Sequence, residues 1–278
     1  MMKKFARSLL AIDIGNSNVS YGLFEQNQRR KDGFGSCIYR WDGGINIFPK
    51  IVRKIVKSGV NIKTLQIIID SVNPSKLQFL SKLINKKTGG LKPWIVGKNV
   101  SIHIKHKYSS MNRLGKDRLV NLYGLMRFYS NPGLVFDLGT ATTVDFVSGR
   151  GIFEGGMIIP GIETSYRALE ERAALLPKKS RLKRTKAFLG RNTNACMQTG
   201  MLQGYGAMVD GLIERFEKRF GRMQTILMTG GLSSLLRSYI CARVVVDPDH
   251  TLKSLALIYR EIIEGSGYFR PTHSERSN

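Results

Sequence analysis

A short template occurs twice in this chain, and it restricts the fold more than any other feature. Leu10-Ala11-Ile12-Asp13-Ile14-Gly15-Asn16-Ser17 and Leu134-Val135-Phe136-Asp137-Leu138-Gly139-Thr140-Ala141 each run an apolar stretch into Asp-x-Gly and then small polar residues. An apolar run bounded by such a turn reads as a buried strand. The residues beyond, Val19 to Phe24 and Thr142 to Val147, read as its antiparallel return. Asp-x-Gly is a common strand ending, so the pair taken alone admits coincidence. Each copy heads one half of the chain, however, and that placement argues for an internal duplication: two similar α/β domains facing each other across a cleft. The expected division is 1–115 and 116–278.

Strands and helices alternate elsewhere, as an α/β protein requires. Phe48, Ile51, Val52, Ile55 and Val56 fall at helical spacing before Gly59, and Leu65 to Ile69 reads as a strand. Leu77, Leu80, Leu83 and Ile84 mark a helix, Lys86 to Lys92 a surface loop, and Trp94 to Val96 a short strand. Lys116 to Tyr129 reads as a central helix, apolar on most sides. Helices are expected near 164–175, 194–220, 232–239 and 251–264, with strands at Thr225 to Met228 and Val244 to Val246.

The composition narrows the classes of function. Of 278 residues, 42% are apolar, so the formal charge of +24 does not make the chain a disordered polycation. Excess Lys and Arg attract phosphates and hence nucleic acid. Yet the densest run, Lys178 to Lys186, contains no interleaved aromatic on which bases would stack, and the other basic residues are dispersed. A solvated connecting segment is the plainer reading of that run, and the sequence argues against a nucleic-acid partner. No window approaches the roughly 18 apolar residues of a membrane span, and the apolar stretch after Lys3 and Lys4 stops at Asp13, too soon for an export signal. Cys37, Cys196 and Cys241 lack metal or disulfide spacing. A reducing, cytoplasmic setting is the expectation.

Glycine after each strand lets consecutive N–H groups approach phosphate oxygens without a Cβ in the way. The preceding carboxylate is placed to hold Mg²⁺, directly or through water. Asn16, Ser17, Asn18 and Ser20 add hydrogen-bonding groups on the first hairpin, and Thr140, Thr142 and Thr143 on the second. Neither GxxxxGK[ST] nor GxGxxG occurs, which excludes P-loop and dinucleotide-fold readings. Thr229-Gly230-Gly231, between a strand and a helix, could meet a base or a phosphate. Asp145, on the return strand, reads as structural.

The order of motifs resembles the type III pantothenate kinases, the bacterial family that phosphorylates pantothenate at the start of coenzyme A synthesis. The family has two actin-like (ribonuclease H-like) domains of the acetate kinase and actin superfamily. Its opening Asp-x-Gly-Asn-Thr is matched by Asp13 to Ser17, with Ser for Thr, and its Ser-Val-Val-Pro by Ser71 to Pro74. Its Gly-x-Asp-Arg is Gly115-Lys116-Asp117-Arg118, preceded by Tyr108. Asp137 to Thr143, Gly155 to Gly161, Asn192-Thr193, Gln198 to Gly200, Val209 to Ile213 and Thr229 to Gly231 follow in family order.

The resemblance implies that Asp13, Ile14, Gly15, Asn16, Ser17, Asn18, Val19 and Ser20 bind ATP, with Asp13 at Mg²⁺ and Thr140 a second nucleotide contact. It implies that Asp117 is the general base, and that Tyr108, Gly115, Lys116, Asp117, Arg118 and Thr193 contact pantothenate. Asp137 corresponds to the site of a monovalent cation, K⁺ or ammonium, and a homodimer is implied, with the helix from Asn194 to Phe220 as contact surface.

Plainer readings stand beside these. Gly115 to Arg118 is compatible with a helix-start turn, Tyr108 with an ordinary packed aromatic, and Thr193 with an N-cap. Gly155, Gly156, Pro160 and Gly161 read as backbone-shaping residues, and His103 and His106, in a strand-like segment, as no metal site. Two departures from the family pattern are Lys116, whose ammonium would lower the pKa of the neighbouring base, and Asn73, which replaces an apolar residue. They leave two alternatives: a catalytically weak regulatory or nucleic-acid-binding paralogue, and a kinase of another small acceptor.

Overall fold

The computed structural model describes residues 8–24, 39–173, 175–177 and 182–263. The chain forms two compact units. The first takes the chain up to Ile104, Ser110–Gly124 and everything from Asp249 on; the second takes Lys105–Ser109 and Leu125–Pro248. This division differs from a single cut after residue 115, because Lys105–Ser109 group with the second unit while the segments that run to Gly124 and on from Asp249 group with the first.

In the first unit, β1 (Leu9–Ile14), β2 (Val19–Phe24), β3 (Tyr39–Gly43), β4 (Gln66–Ser71) and β5 (Trp94–Ile95) form one sheet in the order β3-β2-β1-β4-β5. β1 is antiparallel to β2 and parallel to β4, which is parallel to β5. Leu10, Ile12, Ile14, Tyr21 and Leu23 face α1 (Phe48–Lys57) and α2 (Pro74–Thr88). α1 buries Phe48, Ile51, Val52 and Ile55, the stripe expected from the 3.6-residue period. α2 continues past Lys86, where the sequence suggested a loop, and stops at Gly89, whose φ of 70° ends a helix without Cβ strain.

The second unit repeats this plan. β6 (Gly133–Leu138), β7 (Ala141–Val147), β8 (Phe153–Pro160), β9 (Thr225–Thr229) and β10 (Val245–Val246) lie in the order β10-β9-β6-β7-β8, again with an antiparallel hairpin and two parallel additions. Leu134, Phe136, Leu138, Val144 and Phe146 pack on α5 (Thr193–Phe220), α4 (Ile162–Arg172) adds Ile162, and α6 (Ser233–Leu236) adds Leu236. The matching strand order in both units bears out the internal duplication read from the two hairpins, and it is the ribonuclease H-like arrangement that the family resemblance implies.

α3 (Lys116–Phe128) is shared, its residues to Gly124 belonging to the first unit and the rest to the second. α7 (His250–Ile258) covers the second face of the first sheet, against β1, β2 and β4. The two helices are joined by the Asn121 carbonyl against His250 Nε2 at 3.0 Å and by Thr251 Oγ1 donating to Asn121 Oδ1 at 2.8 Å. Gly124 lets them touch, since a Cβ there would overlap Ser254 Oγ.

β3 and β8 are absent from the sequence reading, and the two glycines inside β8 hide its strand character. The segment holding His103 and His106 is not a strand; His106 makes one isolated bridge to Phe153. Cys196 and Cys241 are exposed thiols, and Cys37 lies outside the described residues. Residues 178–181 of the basic run also lie outside them. Its remainder is tied down: Arg184 donates to the Ser234 carbonyl at 3.1 Å, and the Tyr239 hydroxyl bonds both the N–H and the carbonyl of Thr185. Among the described residues no helix is long and apolar enough to cross a membrane.

Gly206 of α5 lies against the Tyr239 carbonyl, which a Cβ would overlap. Gly206→Ala is expected to destabilise the protein by about 1–3 kcal/mol, read as a lowered urea midpoint with an unchanged slope.

Candidate active site

Asp13 is the penultimate residue of β1, opposite Ser20 in register and one residue before the last pair of the hairpin. The four-residue turn is held by Gly15 N–H donating to the Asn18 carbonyl at 3.0 Å, and Asn16, Ser17 and Asn18 are exposed. Ser20 Oγ donates to Asp42 Oδ1 at 2.7 Å. On the parallel flank Asp13 stands beside Asp70 of β4, and side chains at paired positions share a sheet face. Asp70, fully buried, is a carboxylate that the sequence reading missed. In the sequence it merely ends the run Ile67-Ile68-Ile69, and only pairing of distant strands makes it the neighbour of Asp13.

Asp117 lies in the first turn of α3. Its Oδ1 accepts the Arg118 N–H at 2.7 Å and sits 2.5 Å from where a Cβ of residue 115 would be. Glycine at 115 is thus the space into which the carboxylate folds. Burial raises the Asp117 pKa above the ordinary carboxylate value; the Arg118 N–H, the Arg118 guanidinium and its own backbone N–H pull the other way. The expected lowering by Lys116 is therefore corrected. The Lys116 stem lies over Gly97, where a Cβ would stand 2.7 Å from Cε. Arg118, only 6% exposed, is the cation beside the carboxyl.

Gly97 follows β5, and β1, β4 and β5 are parallel, so their carboxyl ends share one edge of the sheet. That edge carries Asp13 with its turn and Asp70, and the Lys116 stem at the start of α3 reaches it at Gly97. In open α/β sheets ligands bind beyond this edge. Asn73, the other departure from the family pattern, is the N-cap of α2, its Oδ1 accepting the Lys76 N–H at 3.0 Å.

In the second unit Asp137 pairs with Thr143 of β7 and Thr229 of β9. The turn after it is closed by Gly139 N–H to the Ala141 carbonyl at 3.1 Å. The Thr140 carbonyl accepts Gly161 N–H at 3.0 Å and Thr164 Oγ1 at 2.6 Å. Gly230, at φ 86°, leaves room for the Asp137 carboxylate; a Cβ would stand 2.6 Å from Oδ1. Asp145 is buried in mid-strand, opposite Val135 and Gly156 and away from the turn. Tyr108 stacks on Phe153, centroids 5.5 Å apart, and its carbonyl meets His106 Nδ1 at 3.0 Å. Thr193 is exposed and opens α5, whereas the cap is Asn192, whose Oδ1 accepts the Ala195 N–H at 2.9 Å. Asp210, in the Val-Asp-Gly motif, accepts the N–H groups of Cys241 and Ala242 and fixes the approach to β10.

The first unit thus gathers Asp13 to Ser20 with Gly115 to Arg118; Tyr108, Asp137, Thr140 and Thr193 belong to the second. Among the described residues no three His, Cys, Asp or Glu side chains cluster so as to hold a metal.

Two sheets of one topology, each with its central strand ending in Asp-x-Gly, define an actin-like α/β protein. A solved structure of a Campylobacter jejuni protein assigned to the Baf family of transcriptional activators shares the fold, with a TM-score of 0.56 at 21% identity, over 92% of this chain and 99% of that one. The family model for type III pantothenate kinase matches residues 9–215. The type III pantothenate kinase of Moorella thermoacetica is 34% identical, covering 90% of this chain and 98% of its own length; that of Brevibacillus brevis is 33% identical with the same coverage. The chain belongs to the type III pantothenate kinase family.

Because the folded pKa of Asp117 exceeds the unfolded one, stability falls as pH rises through the folded value. At neutral pH the ionised carboxyl opposes folding. Asp117→Asn is expected to raise the urea midpoint at pH 7, the gain shrinking as pH drops into the ordinary carboxylate range.

Proposed function

We propose that this chain transfers the γ-phosphoryl group of ATP to the hydroxyl of pantothenate, giving 4'-phosphopantothenate, the first step of coenzyme A biosynthesis, with the base Asp117 and the phosphate turn Asp13 to Ser20 on one sheet edge. That shared edge, with a half-buried carboxyl of raised pKa beside a buried arginine, is the observation that carries the reading.

Phosphoryl transfer needs positioning and charge neutralisation more than covalent chemistry. The turn after Asp13 offers backbone N–H groups to the phosphates. Asp117 takes the proton of the acceptor hydroxyl as its oxygen bonds to the γ-phosphorus, and the bond to the β-phosphate oxygen breaks, releasing ADP. A desolvated carboxylate of raised pKa is a stronger base than an exposed one. Arg118 offers a planar fork to the anionic groups. Lys116, Gly115, Tyr108, Thr193 and Thr140 are read as the further substrate and nucleotide contacts that the family pattern implies.

Two oxygen-preferring ions fit the residues present. Mg²⁺ would be held by Asp13, directly or through water, beside Asp70, and would neutralise charge on the phosphates. A monovalent cation, K⁺ or ammonium, would sit at Asp137. The register neighbour Thr229 has a buried Oγ1 with no hydrogen-bond partner among the described residues, an oxygen donor suited to such an ion.

A homodimer formed through α5 is part of the proposal. Gly200, Gly204 and Gly211 leave open space where a Cβ would stand, so a second helix can approach closely. Exposed thiols at Cys196 and Cys241 suit a reducing cytoplasm.

An ADP-release assay over an acceptor panel is expected to give turnover with pantothenate and none with acetate or a sugar; the reverse would overturn the acceptor. Asp117→Asn should lower kcat by about 10²–10⁴-fold with the KM for ATP nearly unchanged, and largely intact turnover would remove Asp117 as the base. Omitting both K⁺ and ammonium should abolish activity, and indifference to them would count against the role of Asp137.

A further inference from the structure

The carbonyl groups of the β1–β2 turn are taken up one by one. Ile14 O accepts the Val72 N–H at 3.2 Å, and Asn18 O accepts that of Gly15 at 3.0 Å. Of the rest, those of Gly15 and Asn16 go to one side chain. The Lys76 ammonium donates to the Asn16 carbonyl at 2.6 Å and to the Gly15 carbonyl at 3.3 Å. Lys76 is itself well fixed: it lies in the first turn of α2, its N–H is held by the Asn73 cap, and Ser71 Oγ bonds both the N–H and the carbonyl of Asn73.

A trans peptide is planar, with its C=O and N–H pointing in opposite directions. Drawing the Gly15 and Asn16 carbonyls toward α2 therefore turns the N–H groups of Asn16 and Ser17 away from it. Two successive N–H groups aimed the same way form an anion-binding concavity. Without the ammonium, either peptide could flip and present a carbonyl dipole to the triphosphate, which would repel it. Sequence reading had no access to this contact, because Lys76 lies outside every motif of the resemblance.

We propose that Lys76 is a positioning residue for the reaction, holding the Gly15–Asn18 turn in its phosphate-binding conformation through the Gly15 and Asn16 carbonyls. The proposal rests on the reading that this turn binds the ATP phosphates.

The test compares wild type, Lys76→Met and Lys76→Arg as full chains, measuring MgATP affinity by calorimetry, kinetics with ATP and pantothenate, and thermal midpoints. Lys76→Met is expected to weaken MgATP binding about tenfold or more, as for loss of hydrogen bonds to a charged donor. The KM for pantothenate and the thermal midpoint should stay near wild type, and Lys76→Arg should recover most of the affinity. The ratio of wild-type to Lys76→Met affinity should be similar at low and high KCl. Unchanged MgATP affinity in Lys76→Met overturns the proposal, as does parallel loss of pantothenate affinity and stability. A ratio that collapses with salt assigns Lys76 a direct charge role instead and also overturns it. A wild type that binds MgATP without phosphorylating pantothenate refutes the acceptor assignment alone, and Lys76 then stands or falls on the binding ratio. A wild type that binds no nucleotide refutes both.

Discussion

A strand bonded antiparallel on one flank and parallel on the other has one end at which backbone, side chains and helix starts all converge, and β1 and β6 are both such strands. On the hairpin flank the chain must reverse at the carboxyl end, which puts a turn and its N–H groups there. On the parallel flank the neighbouring strand ends at the same edge, and the segment leaving it starts there too. A carboxylate one residue before the turn is placed by these pairings, and the rest of each half of the chain serves to hold that edge in shape. In the first unit this support comes from α1 and α2 on one face and α7 on the other.

Asp117 shows how such an edge sustains an unfavourable group. Its carboxyl is buried enough to raise its pKa, against the opposing effects of Arg118 and the local backbone. It occupies space that exists only because residue 115 has no Cβ. The helix presenting it is anchored through Asn121 to His250 and Thr251 on α7, and α7 is packed on β1. The strain of a desolvated carboxylate is thus carried by a helix pair that remains well bonded elsewhere. Asp137 follows the same rule in the second unit, where Gly230 supplies the room and Thr229 the adjoining oxygen.

Within the type III pantothenate kinase family this chain has individual features. Lys116, the neighbour of Asp117, lays its stem over Gly97. Asn73, a polar residue where the family pattern is apolar, caps α2 and so fixes the lysine that bonds the β1–β2 turn. Of the two departures from the family pattern, Asn73 acts locally as a helix cap.

The duplicated hairpins and the amphipathic helices were legible in the amino-acid order alone, because each depends on residues a few positions apart: a glycine that must turn, a period of 3.6, an apolar run. Gly155 and Gly156 concealed β8, since glycine weakens the only local signal a strand has. Asn192, one position before the Thr193 read as a cap, took the capping role by backbone geometry that residue type alone does not distinguish. Other features needed the tertiary fold: Asp70 beside Asp13, the α3–α7 anchor, the return of the chain beyond Asp249 to the first unit, and Lys76 at the Asn16 carbonyl. Each joins residues far apart in sequence, and no local rule of propensity or spacing can state which distant strand or helix will be the neighbour.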